Sequence, residues 1–237
     1  SSCIRQVTIN GYTMNTPVSH HPKDELLLEF SAGSLDSVPA MCVSAHLHFC
    51  ERCRAKVSQL NELGSELFSE QHISEQHSLA VDDDALARLF DRIDATPSDA
   101  SDHAPAQSSN LPHVVEKLLS ASQGPTWKKL SNSLDIARLV TGQNKFEVAL
   151  HRICAGGKTP THNHSGKEYT VVLSGSFSDE DGIYRPGDFL IRRPGESHQP
   201  MGAQNGECIC FSALESPIRF PGLLGWLARP FLRLHPA

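Results

Sequence analysis

The segment from His46 to Cys53, His-Leu-His-Phe-Cys-Glu-Arg-Cys, constrains the fold of this chain more than any other stretch. If the segment is helical, Cys50 follows His46 by four residues and Cys53 follows by three more, so one imidazole and two sulfur atoms share a face. Imidazole and thiolate groups suit Zn²⁺, which takes four ligands in structural sites. The spacing therefore predicts a zinc ion that crosslinks helices in the first half of the chain.

The fourth ligand has two candidates. His21 lies where the first helix should begin, and Cys42 lies four residues before His46, on the same helical face. His20 and His48 are close neighbours that could be mistaken for ligands, since His48 is two residues from the first of the paired cysteines and points elsewhere on a helix. A redox-active dithiol, or simple packing of single residues, is the alternative to a metal site.

Composition narrows the class of protein. The chain has 237 residues and a net charge of −6, so it lacks the basic character that holds nucleic acid phosphates. No run approaches the ~20 apolar residues of a membrane span, and no signal peptide is evident. Seven cysteines are an odd number and favour metal ligands and free thiols in a reducing compartment. We therefore expect a cytoplasmic protein, and we assign no fold role to the residues before Met14.

Hydrophobic periodicity predicts four helices in the first half, at residues 23–32, from 37 into the His46 segment, 50–68 and 82–94. The fourth carries an apolar stripe at the spacing i, i+3, i+4, i+7, formed by Leu86, Leu89, Phe90 and Ile93. The pattern alone leaves open whether this stripe completes the core of the helical bundle or enters the groove of a partner.

Residues 95–110 contain no large apolar side chain and predict a linker. The sequence pattern changes after them from helical periodicity to strand-like segments. Short strands bounded by glycine and Pro-Gly turns follow, at residues 135–140, 146–154, 169–173, 189–192 and 208–213. This rhythm predicts a double-sheet β barrel. The position of residues 111–119 stays open. Residues 222–234 could lie on a membrane surface, but a segment of about a dozen residues is more often a helix packed on its own domain or on a dimer mate.

A second set of potential metal ligands lies in the barrel half. Its motif reads Gly156-x5-His162-x-His164-x3-Glu168-x6-Gly175, followed by Gly187 and by Pro194-Gly195-Glu196-Ser197-His198. Two histidines two apart on a strand point to one face, which is the interior in a barrel. The set closely resembles the two motifs of the cupin superfamily, except that Arg193 and Gly202 replace a usual proline and asparagine. Ligand type alone allows Zn²⁺, Mn²⁺, Ni²⁺ or Fe²⁺ at His162, His164, Glu168 and His198.

The two ligand sets in this order resemble the ChrR-type zinc-dependent anti-sigma factors. The resemblance favours His21 over Cys42 as the fourth zinc ligand, because the 25-residue gap to His46 agrees with that family. It implies two domains, α then β. These are a small zinc-stapled helical anti-sigma domain at residues 14–94, a flexible linker at 95–110, and a cupin-like jelly-roll barrel at 111–237.

The resemblance also implies a function, namely binding and inhibition of an extracytoplasmic-function sigma factor. Zinc would order the helices, the apolar helix would lie between two sigma domains, and the cupin-like domain would sense singlet oxygen or peroxide. Cys208 and Cys210 alternate on a strand and share a side of it, so they are either redox-active or buried packing residues. Two alternative functions compete with this one. The first is a metal-dependent cupin enzyme of the dioxygenase or isomerase type, and the second is a zinc-dependent interaction module for another partner. A homodimer through the cupin-like domain is also possible.

Overall fold

A computed structural model describes residues 17–70, 83–95, 110–216 and 218–219. Its helices are α1 (Asp24–Ser31), α2 (Ser37–Phe49), α3 (Glu51–Glu70), α4 (Asp83–Ala95) and α5 (His113–Ala121). The first four agree with the predicted helices to within a few residues, and α5 occupies the stretch that the sequence left open. No helix among the described residues is long and apolar enough to cross a bilayer. The residues before 17, most of the predicted linker and the tail at 222–234 lie outside the described part.

The second half of the chain is built from short strands. They are β1 (Lys128–Lys129), β2 (Leu134–Arg138), β3 (Glu147–Ile153), β4 (His162–His164), β5 (Glu168–Ser174), β6 (Phe177–Asp179), β7 (Gly182–Tyr184), β8 (Phe189–Arg192), β9 (Ser197–His198), β10 (Met201–Gly202), β11 (Cys208–Leu214) and β12 (Ile218–Arg219). The five predicted strands are present as β2, β3, β5, β8 and β11. The others have two or three residues, too few to show an alternating pattern.

The strands form one large antiparallel sheet and two small ones. The large sheet has the order β1-β2-β3-β11-β5-β8, and the small sheets have the orders β10-β6-β7 and β12-β4-β9. The pairing of β4 with β9 places His162 directly opposite His198. The predicted order, helices followed by a β domain of short antiparallel strands, is confirmed.

The large sheet is buried on both of its faces. Along β5 and β11, Val171 and Phe211 belong to an apolar core that also contains residues of α1, α2 and α5. Val172 and Cys210, one residue away along the same strands, belong to a second cluster on the opposite face. The outer face of the sheet is therefore covered by helices, while its inner face lines the barrel.

The described residues divide into two compact units. The first unit joins the described residues up to Asn61 with those from Asn110 onward, and the second holds α3 from Glu62 onward together with α4. Helices α1 and α2 thus share a compact unit with the barrel, and the domain boundaries at residues 94 and 111 stay a prediction. The physical reason for the shared unit is the shared core. Val38 and Val43 of α2 are almost fully buried in the cluster that contains Phe211.

Truncating Val43 tests this shared core. Because the Val43 side chain is completely buried in the cluster, we expect Val43→Ala to lower the free energy of unfolding by roughly 2 kcal/mol, through lost burial and a residual cavity. Leu28→Ala is the matched control, because the Leu28 side chain of α1 is exposed and its loss should cost less than about 0.5 kcal/mol. Urea denaturation followed by circular dichroism measures both. Equal losses for the two variants would contradict the packing.

Candidate metal centres

The first potential metal site joins the end of α2, the start of α3 and the segment before α1. The ligand atoms of His21, His46, Cys50 and Cys53 all lie within 4.8 Å of one another. The Nδ1 atom of His21 is 3.3 Å from the sulfur of Cys50 and 3.5 Å from that of Cys53. Cys42 lies outside this group and is buried in the apolar core. The structure thus brings together the four residues that the resemblance indicated.

The two other histidines of these segments have different surroundings. His20 Nδ1 lies 3.3 Å from a carboxylate oxygen of Asp188. The His48 ring packs edge-on against Phe49, with centroids 4.9 Å apart. Neither belongs to the cluster of potential ligands.

The backbone around Cys50 departs from the single helical face assumed in the spacing argument. α2 ends at Phe49, and Cys50 is extended, with φ −108° and ψ 102°. The Cys53 N–H donates to the Cys50 sulfur at 3.4 Å. Cys50 therefore caps the N-terminus of α3 with its sulfur, in the way that serine or aspartate caps other helices.

The hydrogen bonding of His46 leaves one ring nitrogen free to bind a metal. Its Nδ1 lies 2.6 Å from the carbonyl oxygen of Gly187, so Nδ1 carries the proton and donates. The Nε2 atom is buried without a hydrogen-bond partner among the described residues. Burial lowers the pKa of His46 to about 4, so the ring is neutral near pH 7. A neutral imidazole with a bare, buried Nε2 beside two thiols is a ready metal ligand.

The Cys53 thiol needs a cation in order to ionise near pH 7. Burial, and then the neighbouring Cys50, raise the pKa of Cys53 to about 12. A bound Zn²⁺ displaces such protons, because a coordinating thiol is deprotonated outright. Two sulfur and two nitrogen donors form a common structural zinc set. The residues of this first site therefore fit Zn²⁺.

The second potential metal site lies inside the barrel. The ligand atoms of His162, His164 and His198 lie within 4.8 Å of one another. The Nε2 atom of His198 is 3.1 Å from Nε2 of His162 and 3.2 Å from Nε2 of His164. The Nδ1 atoms of His162 and His198 face the Pro160 carbonyl at 3.0 Å and the Asp179 carboxylate at 3.1 Å, and both of these oxygens can only accept.

These contacts fix the tautomers of two of the three rings. With the proton on Nδ1, the Nε2 lone pairs of His162 and His198 point at each other across 3.1 Å. Two facing lone pairs repel, and a cation between them removes the repulsion. The geometry of the second site therefore also fits a metal ion, of a kind that imidazole binds.

Glu168 stands beside this group and contacts one of its members. Its Oε2 atom is 3.3 Å from Nε2 of His164, and its Oε1 atom accepts a hydrogen bond from the Thr170 hydroxyl. Burial alone would raise the pKa of Glu168, but His164 and three other nearby imidazoles hold it below its usual range. The carboxylate is thus placed beside the three histidines, although it lies outside the set of mutually close ligand atoms.

Two further residues of the barrel site were missed from the sequence. Asp179 accepts from His198 Nδ1 and from the Tyr184 hydroxyl, and it pairs with Arg192; these contacts hold its pKa below the usual range despite burial. It lies on the three-residue strand β6, which has no readable pattern. His151 has a pKa lowered by burial and lies close enough to Glu168 for their charges to interact. Strict alternation along β3 would have placed His151 on the inner face.

The two thiols of β11 lie close together inside the barrel. The sulfur atoms of Cys208 and Cys210 are 3.7 Å apart, and both residues are buried. The hydrogen bond with Cys208, together with burial, raises the pKa of Cys210 well above its usual value. Both residues are free cysteines.

The apolar stripe of α4 is exposed. Its members, Leu86, Leu89, Phe90 and Ile93, are each between 48% and 57% exposed. The described residues therefore do not bury the stripe as part of a helical core. An exposed stripe of this width is typical of a protein interaction surface.

The chain has a cupin-like barrel with three converging histidines, and helices with a Cys₂His₂ cluster precede it. These features define a protein of the cupin class with two potential metal sites. The family described as the ChrR cupin-like domain matches residues 116–216. The anti-sigma-E factor ChrR of Cereibacter sphaeroides is 30% identical over 220 residues, which are 92% of this chain and 99% of that protein. This chain belongs to the ChrR family of anti-sigma factors.

A solved structure supports the same assignment. It is the crystal structure of Rhodobacter sphaeroides SigE in complex with the anti-sigma ChrR, which superposes with a TM-score of 0.68 at 28% identity. The match covers 83% of this chain and 99% of that one. The resemblance inferred from the two ligand sets is thereby confirmed.

Proposed function

We propose that this protein binds an extracytoplasmic-function sigma factor in the cytoplasm and inhibits it. The observation that carries the proposal is the match along 92% of the chain to an anti-sigma factor, together with a structural match to a relative that was crystallised with its sigma factor. Co-expression with each such sigma factor of the same organism tests the proposal. One of them should co-purify in a stable one-to-one complex, and the absence of any complex would reject the proposal.

In this proposal two metal ions are bound by separate residue sets. His21, His46, Cys50 and Cys53 hold a structural Zn²⁺ that fixes the approach of α1, α2 and α3. The barrel histidines His162, His164 and His198, with Glu168, hold a second ion. The support is the bare Nε2 of His46 in the first set and the converging Nε2 atoms in the second. Zn²⁺ is our assignment for the barrel as well, while Mn²⁺, Ni²⁺ and Fe²⁺ suit its ligands by type.

The sigma factor would be held by residues 14–94, with α4 as the principal contact. Leu86, Leu89, Phe90 and Ile93 would enter an apolar groove between two sigma domains, as amphipathic helices do in other complexes. The support is that none of the residues described by the structure buries this stripe. Burial of four large apolar side chains is enough to contribute several hot spots to an interface.

Release of the sigma factor would begin in the barrel. An organic hydroperoxide can oxidise Cys208 and Cys210 to a disulfide, which yields one alcohol and one water and leaves the electrons balanced. Closing the sulfur atoms from 3.7 Å to a bond of about 2.05 Å would pull on β11, the strand between β3 and β5. The oxidation would thereby disturb the sheet that carries Glu168 on one face and α2 on the other.

A double substitution tests this role of the thiols. We expect Cys208→Ser combined with Cys210→Ser to lose hydroperoxide-induced release, because no disulfide can form, while resting affinity for the sigma factor is kept. Fluorescence anisotropy of labelled sigma factor after hydroperoxide addition measures the release. Cys154→Ser is the control, since it removes the other described cysteine of the β domain and should respond like the parent chain. An unchanged response of the double variant would exclude the thiols.

A further inference from the structure

The turn between β7 and β8 contacts the segment that leads to the first metal site. Asp188 of this turn is completely buried. One of its carboxylate oxygens accepts the backbone N–H groups of Ser19 at 2.8 Å and His20 at 2.9 Å. The other accepts the N–H of Arg185 at 2.8 Å, and the Ser19 hydroxyl donates to the carboxylate at 3.2 Å. The barrel therefore holds the segment immediately before His21.

The neighbours of Asp188 in the turn add two more contacts. The Phe189 N–H donates to the carbonyl oxygen of His20 at 2.9 Å. The Gly187 carbonyl accepts the Nδ1 proton of His46 at 2.6 Å. Barrel groups thus bind the ring of His46 directly and hold the backbone next to His21, whereas the cysteines are positioned by the start of α3.

The close approach of the two segments depends on Gly187. Its φ is +90°, a conformation that disfavours other residues. A Cβ atom there would lie 2.6 Å from Cβ of Phe49 and 2.7 Å from a methyl carbon of Val18. No side chain fits between the turn and these residues.

We propose that Gly187 and Asp188 of the barrel are positioning residues of the zinc centre, so that the helical site reaches its full metal affinity only when the barrel turn is in place. Outer hydrogen-bond partners fix the orientation and basicity of metal-binding histidines, and their loss typically lowers metal affinity about 10- to 100-fold. Gly187 does this directly for His46. Asp188 orients His21 indirectly, because it holds the backbone of Ser19 and His20 that leads to His21.

The same strand also reaches the barrel site. β8 begins at Phe189, beside the turn, and ends at Arg192, which pairs with Asp179. Asp179 in turn accepts the Nδ1 proton of His198. Four residues of one strand therefore separate the groups that orient ligands of the two potential metal sites. A change at the barrel site can therefore reach the zinc centre through β8. The use of this route in sigma release rests on the proposed function.

Cobalt binding to the metal-free full chain tests the positioning role without any sigma factor. Co²⁺ bound by cysteine gives thiolate-to-metal charge-transfer absorption, which reports the helical site and is silent for the barrel site, whose proposed ligands are three histidines and Glu168. We expect Asp188→Ala to weaken Co²⁺ binding, read by this band, about 10- to 100-fold. The band should persist at saturation, because Cys50 and Cys53 still bind. The visible ligand-field bands should shift, because His21 is no longer held.

Two further variants keep the result decisive. Asp188→Asn retains one oxygen for the Ser19 and His20 N–H groups, so its affinity should lie between those of the parent chain and Asp188→Ala. If the alanine variant fails to fold, the asparagine variant carries the test, with an expected loss of about tenfold. Asp135→Asn is the matched control. This substitution removes another buried carboxylate, that of Asp135 on β2, which pairs with Arg152 at 2.7 Å. It should change the Co²⁺ affinity by less than about twofold.

The proposal is overturned if the folded Asp188 variants bind Co²⁺ as tightly as the parent chain and with the same spectrum. It is also overturned if Asp135→Asn lowers the affinity as much as they do, because the effect would then be general destabilisation. Sigma binding is not measured in this experiment. A failure here therefore leaves the anti-sigma function untouched, and a failure to find a sigma partner leaves the positioning role untouched.

Discussion

The Cys50→Ser variant is expected to bind no zinc at the helical site and to lose sigma-factor binding. Removing one ligand from a Cys₂His₂ site forfeits most of a metal-binding free energy that is about 10–16 kcal/mol in zinc-finger peptides, and that energy stabilises the fold around the ion. Serine is itself a favourable N-cap, so its hydroxyl can replace the sulfur that accepts the Cys53 N–H. The substitution therefore removes a metal ligand while keeping the N-cap of α3.

The expected structural damage is local. Helix α2 shares a core with the barrel, and its buried residues Val38 and Val43 should stay packed. Helix α1 and the start of α3 are held close to α2 through His21, Cys50 and Cys53, so these should loosen. Circular dichroism should show partial rather than complete loss of helix.

Metal analysis and isothermal titration with the sigma factor measure both consequences. Cys42→Ser is the matched control, because it makes the same chemical change at a buried cysteine of α2 that lies outside the cluster. It should keep its zinc and bind the sigma factor, with a modest loss of stability from the buried hydroxyl. Tight sigma binding by a Cys50→Ser chain that holds no zinc at this site would contradict the structural role of the ion.

The second large effect is expected on α4. Phe90→Asp should weaken sigma binding at least about thirtyfold, because a central aromatic contact is lost and a carboxylate must be desolvated in an apolar groove. The free protein should be unaffected, because the Phe90 side chain is 57% exposed and substitutions at exposed sites usually change stability by less than about 0.5 kcal/mol. The variant thus separates binding from folding.

Ala87→Asp is the control on the same helix. It introduces the same charge into α4 at an exposed position beside the apolar stripe, and should retain near-parental affinity. Thermal unfolding of both variants should match that of the parent chain. If Phe90→Asp binds as tightly as Ala87→Asp, the stripe does not contact the sigma factor and the exposed apolar surface has another role.

Local spacing in the sequence was enough to group part of each set of potential ligands that the structure brings together. His46, Cys50 and Cys53 lie within eight residues, and His162 and His164 alternate on one strand, so elementary geometry places each group together. The choice between His21 and Cys42 required the family resemblance. The break at Cys50 was missed, because an N-cap formed by a cysteine sulfur is not among the usual helix start signals.

The packing of the helices on the barrel was also missed, although one signal was available. Helix α2 is apolar on most sides, with Val38, Cys42, Val43 and Ala45 all buried, and a helix of that kind is covered by more than one element. Asp188 and Asp179 could not have been found. Asp188 bonds to residues 168 and 169 positions away in the chain, and a single carboxylate carries no local pattern that reveals such a contact.

Run-off transcription with core RNA polymerase and the co-purifying sigma factor tests the central claim most directly. The zinc-loaded chain should abolish transcription from the sigma factor's promoter when it is added in equal amount to the sigma factor, and the Cys50→Ser chain should leave transcription at its uninhibited level. Full transcription in the presence of the zinc-loaded chain, at a concentration well above that of the sigma factor, would contradict the proposal that this protein is an anti-sigma factor.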